Sequence, residues 1–176
     1  MRAGVPRVGD GQVAIEPMRR RHLRSVMRIE RQAHPKPWSV GVFASELGQG
    51  AARYYVVLRV DGKVTGYAGL MFAADEAHVT NLAVAPTARR HGLGTKLLCE
   101  LARESTRRRC AAVTLEVRMG NLAAQNLYRK FGFVSAGVRR NYYPETGEDA
   151  LIMWLHGLQT AEVQARLKAL EDGGWI

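Results

Sequence analysis

Two side chains that can exchange a proton lie close together in the sequence. Glu116 stands in a run over 112–117 whose apolar and polar residues alternate, which is typical of a β-strand, and Tyr128 follows twelve positions later in a segment with helical spacing. A carboxylate can accept a proton in general-base catalysis, and a phenol can donate one. Each has a structural alternative. Glu116 can pair with Arg118, which strand alternation places on the same face, and Tyr128 can be a core aromatic at a helix end.

A glycine-containing turn precedes this pair and joins a predicted strand to a predicted helix. Gly92 and Gly94 permit close backbone approach and positive φ, and the amides of the next helical turn lie at the positive end of a helix dipole. Such a turn suits a pyrophosphate, and Arg89 and Arg90 are beside it. A Gly-x-Gly pair alone equally fits a helix-starting turn. A dinucleotide fingerprint would need a small residue at Leu97, and the Gly-Lys-Ser/Thr of a Walker A loop occurs nowhere in the sequence.

The residues around this turn resemble motif A of the GNAT superfamily of N-acetyltransferases. The match consists of Asn81-Leu82-Ala83-Val84, then Pro86, then Arg89-x-x-Gly92-x-Gly94. In that family the strand and the loop hold acetyl-CoA, so the resemblance implies acetyl-CoA as co-substrate and no metal. The cofactor-binding residues that it implies are Leu82, Ala83, Val84, Arg89, Arg90, His91, Gly92, Leu93, Gly94, Thr95 and, from the following motif, Asn121.

The residues around the proton-exchanging pair resemble motif B of protein N-terminal acetyltransferases. The matching positions are Leu115-Glu116-Val117-Arg118, Asn121, Ala124, Leu127-Tyr128 and Gly132-Phe133, and the likeness is greatest to bacterial members that acetylate a ribosomal protein. The resemblance implies that Glu116 is the general base and Tyr128 the general acid. Those roles suit acetyl transfer from a thioester to an α-amine with a pKa of about 8, because the amine must lose a proton and the thiolate must gain one. A backbone N–H exposed where the strand splays near Leu82–Val84 would stabilise the oxyanion.

Two further segments match the same group and would face the acceptor substrate. They are Pro37-Trp38-Ser39 and the stretch Arg140-Asn141-Tyr142-Tyr143-Pro144, and the second forms one wall of the peptide channel in relatives. The resemblance therefore implies that Trp38, Tyr142 and Tyr143 bind substrate. The alternatives are simple packing for the tryptophan and a surface loop for the tyrosines. Three histidines without an orienting partner nearby in sequence are interpreted as structural or surface residues: His34, His78 and His91.

Changes in hydrophobic period indicate the elements that position these residues. Three-to-four spacing predicts a helix from Leu23 to Ala33, and Ser39 can cap a short second helix that ends at Leu47. Asp61-Gly62 is a hairpin signal. Further helices are predicted over 94–107 and 122–130, a loop over 139–147, and strands over 53–60, 63–72, 76–84, 112–117, 133–138 and 150–155. This order predicts one α/β domain with a mixed, mostly antiparallel central sheet flanked by helices.

Composition excludes several classes of protein. The 176 residues are 47% hydrophobic and 24% charged, which is ordinary for a single globular domain. Cys99 and Cys110 cannot form a disulfide-rich scaffold, and no Cys/His spacing suggests a zinc site. Neither a signal peptide nor a run of roughly 18 to 20 apolar residues is present, so we expect a reduced, cytoplasmic protein that does not bind membranes.

The net charge of +10 is concentrated in two blocks. Residues 1–36 carry nine basic and three acidic side chains, and residues 81–120 carry eight and three. Such blocks suit polyanionic partners such as nucleic acid or a phosphorylated cofactor, and the alternative is solvated helix faces. An RNA-binding module is a minor alternative because interleaved aromatics and a known binding motif are lacking.

The predicted organisation has three parts. They are a flexible leader (1–12), the acetyltransferase domain (13–157) and a C-terminal helical or disordered tail (158–176) to which no role is assigned. The resemblance implies transfer of acetyl from acetyl-CoA to protein N-terminal α-amines, including a small-subunit ribosomal protein with N-terminal alanine, by direct attack in a ternary complex. Lysine side chains and small-molecule amines are the alternative acceptors. The basic blocks would help such an enzyme to meet substrates near the ribosome.

Overall fold

The computed structural model describes residues 12–173, in which seven strands form one sheet. The strands are β1 (Val13–Pro17), β2 (Arg53–Val60), β3 (Lys63–Ala73), β4 (Glu76–Val84), β5 (Ala112–Arg118), β6 (Val134–Tyr143) and β7 (Glu148–Leu155). The helices are α1 (Leu23–Ala33), α2 (Val40–Leu47), α3 (Leu93–Arg107), α4 (Leu122–Phe131) and α5 (Ala161–Glu171). The sheet order is β1-β2-β3-β4-β5-β7-β6, and every neighbouring pair is antiparallel except β4 and β5. The predicted fold class is confirmed.

Helices cover both faces of the sheet, and each layer has its own apolar core. On one face α1 and α2 pack around Phe43 and Tyr67, both of which are fully buried. On the other face α3, α4 and α5 pack around Leu97, Phe131 and Leu155. The two layers are called the α1/α2 face and the α3/α4/α5 face. Successive side chains along each strand point to opposite layers, so the side chains of the two faces form separate sets of contacts.

The sheet opens between its two parallel strands. β4 and β5 pair only where Glu76–His78 lie beside Ala112–Thr114, and beyond this point β4 continues to Val84 without β5 as a partner. The rest of β5 pairs with β7 on its other side. We call this opening the fork. The splayed strand that the sequence predicts near Leu82–Val84 is present.

A β-bulge at Thr80 adjusts β4 just beside the fork. Gly69 pairs with Asn81 and Leu70 pairs with Val79, which leaves Thr80 as an extra residue. The Thr80 hydroxyl lies 2.9 Å from the hydroxyl of Tyr55. The Tyr55 ring crosses the backbone of Gly69 so closely that a Cβ there would lie 2.1 Å from a ring carbon. Glycine is therefore required at position 69, since any side chain would displace the ring that holds the bulge.

Most predicted elements are observed within a residue or two, with two exceptions. The strand β1 was not among the predicted elements, although Val13 lies opposite Val60 at the edge of the sheet. The loop predicted over 139–147 is wrong, because β6 runs to Tyr143 and only four residues separate it from β7. An irregular register carries the strand through this stretch: Asn141 has φ +51° and donates its N–H to the side chain of Asp149 at 2.8 Å.

The tail predicted over 158–176 contains α5, which packs into the core of the α3/α4/α5 face. Thr160 caps this helix by accepting a hydrogen bond from the N–H of Val163 at 3.4 Å, and Val163, Leu167 and Leu170 are buried. Leu158, which precedes the cap, is fully buried. Residues 1–11 of the predicted leader and residues 174–176 lie outside the described residues. None of the helices in the described part is long and apolar enough to cross a membrane.

We expect α5 to contribute to global stability. Leu167→Ala removes buried apolar volume from the shared core and should lower the free energy of unfolding by about 2 to 4 kcal/mol, measured by urea denaturation. The neighbouring Lys168→Ala is a matched control, because Lys168 is exposed and its removal should cost no more than about 0.5 kcal/mol. Equal stability of the two variants would mean that α5 is not part of the cooperative unit.

Candidate active site

Glu116 lies at the fork. It is two residues past the last β4–β5 pair and on the opposite strand face from Leu115 and Val117, whose side chains belong to the α3/α4/α5 core. Its carboxylate is only 9% exposed and has two cationic or polar partners: Oε2 lies 3.0 Å from Nε2 of His78, and Oε1 lies 3.3 Å from Nη2 of Arg139.

These contacts keep the carboxylate ionised. The pKa of Glu116 is lowered first by the hydrogen bond from His78 and then by the charges of His78 and Arg139, which together outweigh the opposing effect of burial. An ionised carboxylate at neutral pH can bind a cationic amine and accept its proton. Because the pKa is low, Glu116 would release that proton readily to water rather than retain it.

The predicted alternative for Glu116, an ion pair with Arg118, is wrong. The guanidinium of Arg118 instead lies 2.6 Å from the carboxylate of Glu145, donates to the hydroxyl of Thr146 at 2.8 Å and covers the ring of Tyr143 at 3.7 Å from its centroid. Alternation places both side chains on one face of β5, but the β6–β7 turn, residues 144–147, supplies Arg118 with nearer acceptors. Arg118 therefore anchors that turn.

The interpretation of His78 as a structural or surface residue stays a prediction, but the structure gives the ring a partner that the sequence did not indicate. The parallel pairing places His78 opposite Thr114 and so brings its ring to the carboxylate of Glu116, 38 positions away in the sequence. His34 also has an acidic partner, the Oε2 of Glu30, at 3.6 Å. His91 is exposed, and its Nδ1 lies 2.7 Å from the carbonyl oxygen of Arg89.

Tyr128 projects from the last turns of α4 into the edge of the core. Its side chain is 7% exposed and its ring centroid lies 5.7 Å from that of Phe133. Burial, and to a smaller extent Tyr143, raises the pKa of Tyr128 well above its usual value, so the phenol is protonated at neutral pH. No hydrogen bond engages its hydroxyl within residues 12–173, and the proton is therefore available to a bound group.

Tyr142 and Tyr143 connect the two predicted catalytic groups. Their rings meet edge to face with centroids 5.1 Å apart at the end of β6. The charge of Glu116 contributes to raising the pKa of both tyrosines, after burial, and Tyr143 acts in turn on Tyr128. The structure thus brings the predicted base, the predicted acid and two predicted substrate residues into one region beside the fork. Tyr142 is 42% exposed, so the region opens to solvent.

A buried carboxylate that sequence reasoning missed holds Trp38. Glu30 on α1 is 1% exposed and accepts hydrogen bonds from the backbone N–H of Trp38 at 2.9 Å and from the hydroxyl of Tyr67. The Trp38 ring packs on Phe43 with centroids 5.3 Å apart. The packing alternative and the predicted substrate role are both compatible with the position of Trp38, because the residue packs on Phe43 and is only half-buried.

The charge of Lys36, beside Trp38, reaches the β6–β7 turn. Arg118 is the main cause of the lowered pKa of Glu145, and Lys36 also contributes, so Lys36 and Glu145 lie within electrostatic range. Trp38 is two residues from Lys36, and Tyr143 is two residues from Glu145.

The turn before α3 offers unsatisfied donors. Gly92 is the N-cap residue with φ +72°, and no side chain caps the first-turn amides, which belong to Leu93, Gly94 and Thr95. The basic side chains nearby differ in their contacts: Arg90 and Lys96 line a groove with Gly92 and Thr95, whereas Arg89 donates its Nε–H to the carbonyl of Val84 at 3.1 Å. These amides at a helix N-terminus, with Arg90 and Lys96 nearby, fit a pyrophosphate.

Other predicted cofactor residues contribute packing or backbone rather than free side chains. Leu93 and Ala83 are buried, and Leu82 and Val84 pack against the α3/α4/α5 core. Asn121 caps α4 by accepting a hydrogen bond from the N–H of Ala124 at 3.1 Å. Along β4 the groups available to a ligand are accordingly the backbone N–H and C=O that the fork leaves without a β5 partner.

Comparison with known proteins identifies the family. A family model described as the acetyltransferase (GNAT) family matches residues 23–133, well over half of the chain. The chain belongs to the GNAT acetyltransferase family. The resemblance predicted from motifs A and B is thereby confirmed, and this GNAT protein is an N-acetyltransferase.

Two relatives of this GNAT protein and one similar solved structure carry the same substrate in their names. A putative [ribosomal protein bS18]-alanine N-acetyltransferase of Bacillus subtilis is 40% identical over 147 residues, which is 82% of this chain and 95% of the relative. The [ribosomal protein bS18]-alanine N-acetyltransferase of Escherichia coli K12 is 43% identical over 135 residues, 76% of this chain and 90% of the relative. A crystal structure of the ribosomal-protein-S18-alanine N-acetyltransferase from Escherichia coli superposes with a TM-score of 0.77 at 40% identity, covering 83% of this chain and 94% of that one.

We expect His78 to control the ionisation of Glu116. Replacing the imidazole in His78→Ala removes the largest effect that lowers the pKa of Glu116, so the pKa should rise; Arg139→Gln removes a smaller effect and should raise it less. The side-chain carboxyl carbons can be titrated by NMR, with the Glu116 signal assigned by its loss in Glu116→Gln. An unchanged titration midpoint in His78→Ala would show that the 3.0 Å contact does not persist in solution.

Proposed function

We propose that this protein transfers acetyl from acetyl-CoA to the N-terminal α-amine of proteins in the cytoplasm, with ribosomal protein bS18 and its N-terminal alanine as a substrate. The observation that carries the proposal is Glu116 at the fork, which is ionised and only 9% exposed, in the same domain as the protonated Tyr128. The chain is 40–43% identical to proteins named for that activity. The residue roles are those that the sequence predicts.

The fork and the turn before α3 fit acetyl-CoA. The uncapped amides of residues 93–95 and the side chains of Arg90 and Lys96 would hold its pyrophosphate, and the unpaired edge of β4 would accept its amide-containing arm. When bound, acetyl-CoA supplies a thioester whose carbonyl carbon is open to attack by an amine. A free backbone N–H of β4 near Leu82–Val84 would stabilise negative charge on the carbonyl oxygen.

Glu116 would bind the incoming amine and take its proton. Arg139 shows that a cation can reach this carboxylate, because its guanidinium is 55% exposed and still lies 3.3 Å from Oε1 of Glu116. A substrate ammonium could replace this contact. Its proton passes to the carboxylate, directly or through one water, as the nitrogen attacks.

Tyr128 would complete the transfer by protonating the leaving thiolate. Its phenol stays protonated because burial raises the pKa of Tyr128, and its hydroxyl is not engaged by any described residue. A thiol has an ordinary pKa of about 8.5. Apolar surroundings disfavour the charged thiolate and raise this pKa, so protonation of the leaving thiolate becomes more favourable there.

The cysteines support direct attack over a covalent acyl-enzyme. Burial raises the pKa of the Cys99 thiol to about 11 and also raises that of Cys110. Neither thiol forms an appreciable thiolate at neutral pH, and the thiolate is the nucleophilic form. Both lie on the α3/α4/α5 face, away from Glu116.

The acceptor can be identified with matched peptides. Four peptides of one sequence are offered with acetyl-CoA: free N-terminal alanine without lysine, the same peptide N-terminally blocked, the blocked peptide with one internal lysine, and the free peptide with that lysine. Mass spectrometry locates the added acetyl group. We expect modification of the α-amine in the two free peptides and none in the blocked ones. Acetylation confined to lysine, or to small amines only, would overturn the proposed acceptor.

We expect Glu116→Gln to preserve the fold and lower kcat by roughly 10²- to 10⁴-fold, because the amide keeps the shape but cannot accept a proton. The residual rate should rise as pH approaches the substrate amine pKa of about 8, since free amine then forms without a base. Steady-state kinetics between pH 6 and 9 measure both effects. Glu162→Gln, at an exposed carboxylate on α5, is the control and should match the parent. Parental kcat with a parental pH profile would remove Glu116 from the mechanism.

We expect Tyr128→Phe to lower turnover by roughly 10²- to 10⁴-fold with little loss of stability, because only a hydroxyl without a described partner is deleted. Tyr54→Phe is a demanding control because it also removes the hydroxyl of a partly buried tyrosine. This hydroxyl donates to Glu100 at 2.7 Å and belongs to the α3/α4/α5 face. The control variant should affect stability and not rate. If the two variants turned over equally fast, Tyr128 would be a packing residue.

A further inference from the structure

Exposed arginines form a continuous surface on the outer side of α1 and the turn before it. We call this surface the arginine ridge. All its members are exposed, and the three in α1 recur at three- to four-residue spacing, which places them along one side of the helix next to the basic turn. They are Arg19, Arg20, Arg21, Arg24, Arg28 and Arg31.

Most of this charge is not neutralised. Arg20, Arg24 and Arg31 have neither an ion pair nor a hydrogen bond from their side chains within residues 12–173, and Arg28 contacts only the hydroxyl of Ser25 at 3.4 Å. Arg21 lies 3.8 Å from Glu16, at the far end of the ridge. A strong field of one sign therefore remains at this surface.

The second basic block of the sequence behaves differently. Arg107 lies 2.6 Å from the carboxylate of Glu104, and Arg108 lies 2.7 Å from the other oxygen of the same group. Glu100 adds a further acidic neighbour at 3.9 Å from Arg107. Paired helix charges account for this part of the second block, and the same account fails for the ridge.

A groove runs beside the ridge and is also basic. It encloses about 730 Å³ between α1 and the β2–β3 hairpin, with Arg21 and Arg28 on one wall and Arg59 and Lys63 on the other. No Asp or Glu is among the residues that line it. Hydroxyl and amide side chains that can bind phosphate oxygens complete the walls: Ser25, Gln32, Thr65 and Thr87.

We propose that the arginine ridge and this groove bind the phosphodiester backbone of RNA. Guanidinium groups match phosphate oxygens with two parallel hydrogen bonds. The rise of an α-helix separates Arg24 from Arg31 by about 10 Å, which is too far for one phosphate group and suits successive phosphates of a polymer. Aromatic residues that could stack on bases are absent from α1, so recognition would be of backbone and shape and not of sequence.

An anionic membrane is the less favoured partner. The apolar residues of α1, among them Val26 and Ile29, are buried against the sheet, and none of the large exposed hydrophobic side chains lies on α1. An interfacial helix binds membranes by inserting an apolar face, which α1 cannot offer.

The location relates this surface to the proposed reaction. α1 covers the sheet face that carries Glu116, so a bound RNA and a peptide at the fork would approach the same side of the molecule. The RNA proposal does not depend on the acetylation chemistry. RNA binding could bring the enzyme to a ribosomal protein within an RNA-containing particle, and only this consequence rests on the proposed function.

The test uses the full chain and two variants of equal net charge. The first variant, Arg24→Gln/Arg28→Gln/Arg31→Gln, removes three ridge charges. The second, Arg109→Gln/Arg166→Gln/Lys168→Gln, removes three charges elsewhere on the molecule: Arg109 and Lys168 are exposed, and Arg166 is half-buried and paired with Glu162. Binding of a fluorescein-labelled 16-base-pair RNA duplex is measured by anisotropy over a series of KCl concentrations, and acetylation of the free alanine peptide is measured in parallel.

We expect the ridge variant to bind the duplex at least 10-fold more weakly and to lose about 2 to 3 from the slope of log affinity against log salt, as three phosphate contacts disappear. The control variant should keep most of the affinity and the slope. Both should acetylate the peptide like the parent, because none of the six residues touches the fork.

Three results would overturn the proposal. The first is equal binding of RNA by the ridge variant and the parent, since the ridge would then not contact RNA. The second is an equal loss of affinity in the two variants, since net charge alone would then be responsible. The third is binding of the parent to phosphatidylserine vesicles without binding to RNA, which would make the ridge a membrane-binding surface. Failure of peptide acetylation by the parent chain would overturn the proposed function and leave the RNA result standing.

Discussion

The early separation of β4 from β5 is the constraint on which the site depends. Only three residues of each strand pair, and past His78 the facing backbone groups of β4 have no ladder partner in the sheet. Buried backbone donors and acceptors without partners are costly, so a molecule that keeps such an edge inside its sheet is prepared for a ligand with amide groups of its own. β7 pairs with β5 from Val113 to Arg118, and α3 packs against β4, so each of the two strands has another neighbour past the point where they part. Glu116 and His78 meet because they lie where the strands part.

One buried and one half-buried carboxylate organise the α1/α2 face around that opening. Glu30 binds the backbone of Trp38 and the hydroxyl of Tyr67, while Glu46 binds Arg53 at 2.7 Å and the hydroxyl of Tyr55 at 2.9 Å. An unpaired buried carboxylate would be strongly unfavourable, and each of these has its partners. Tyr55 and Tyr67 are thereby held both by the packing of their rings and by the hydrogen bonds of their hydroxyls. Rigid walls of this kind suit a site that must align an amine with a thioester to within a fraction of an ångström.

Local pattern was enough to predict most of the fold and the positions of the proton-exchanging groups. Alternation along β5 placed Glu116 on the face away from the core, Ser39 capped α2, and the Gly92 turn preceded α3 as expected. Partners were harder, because they depend on register between strands that are distant in sequence. The pairing of His78 with Thr114 selects His78 over Arg118 as the neighbour of Glu116, and no spacing rule contains that information. Glu30 was missed for the same reason: its partner Tyr67 lies 37 residues away.

The position of α5 has a consequence for how the protein is made. Chains emerge from the ribosome N-terminus first, and domains generally fold as units. Here the core of the α3/α4/α5 face is completed by Leu158, Leu167 and Leu170, which follow all seven strands in the chain, and β5 receives β7 as a partner only after β6 has passed. The part of the α3 and α4 surface that these residues cover therefore stays open until α5 has been synthesised. The core of this face is completed by a helix that follows every strand of the sheet, so it cannot close one segment at a time.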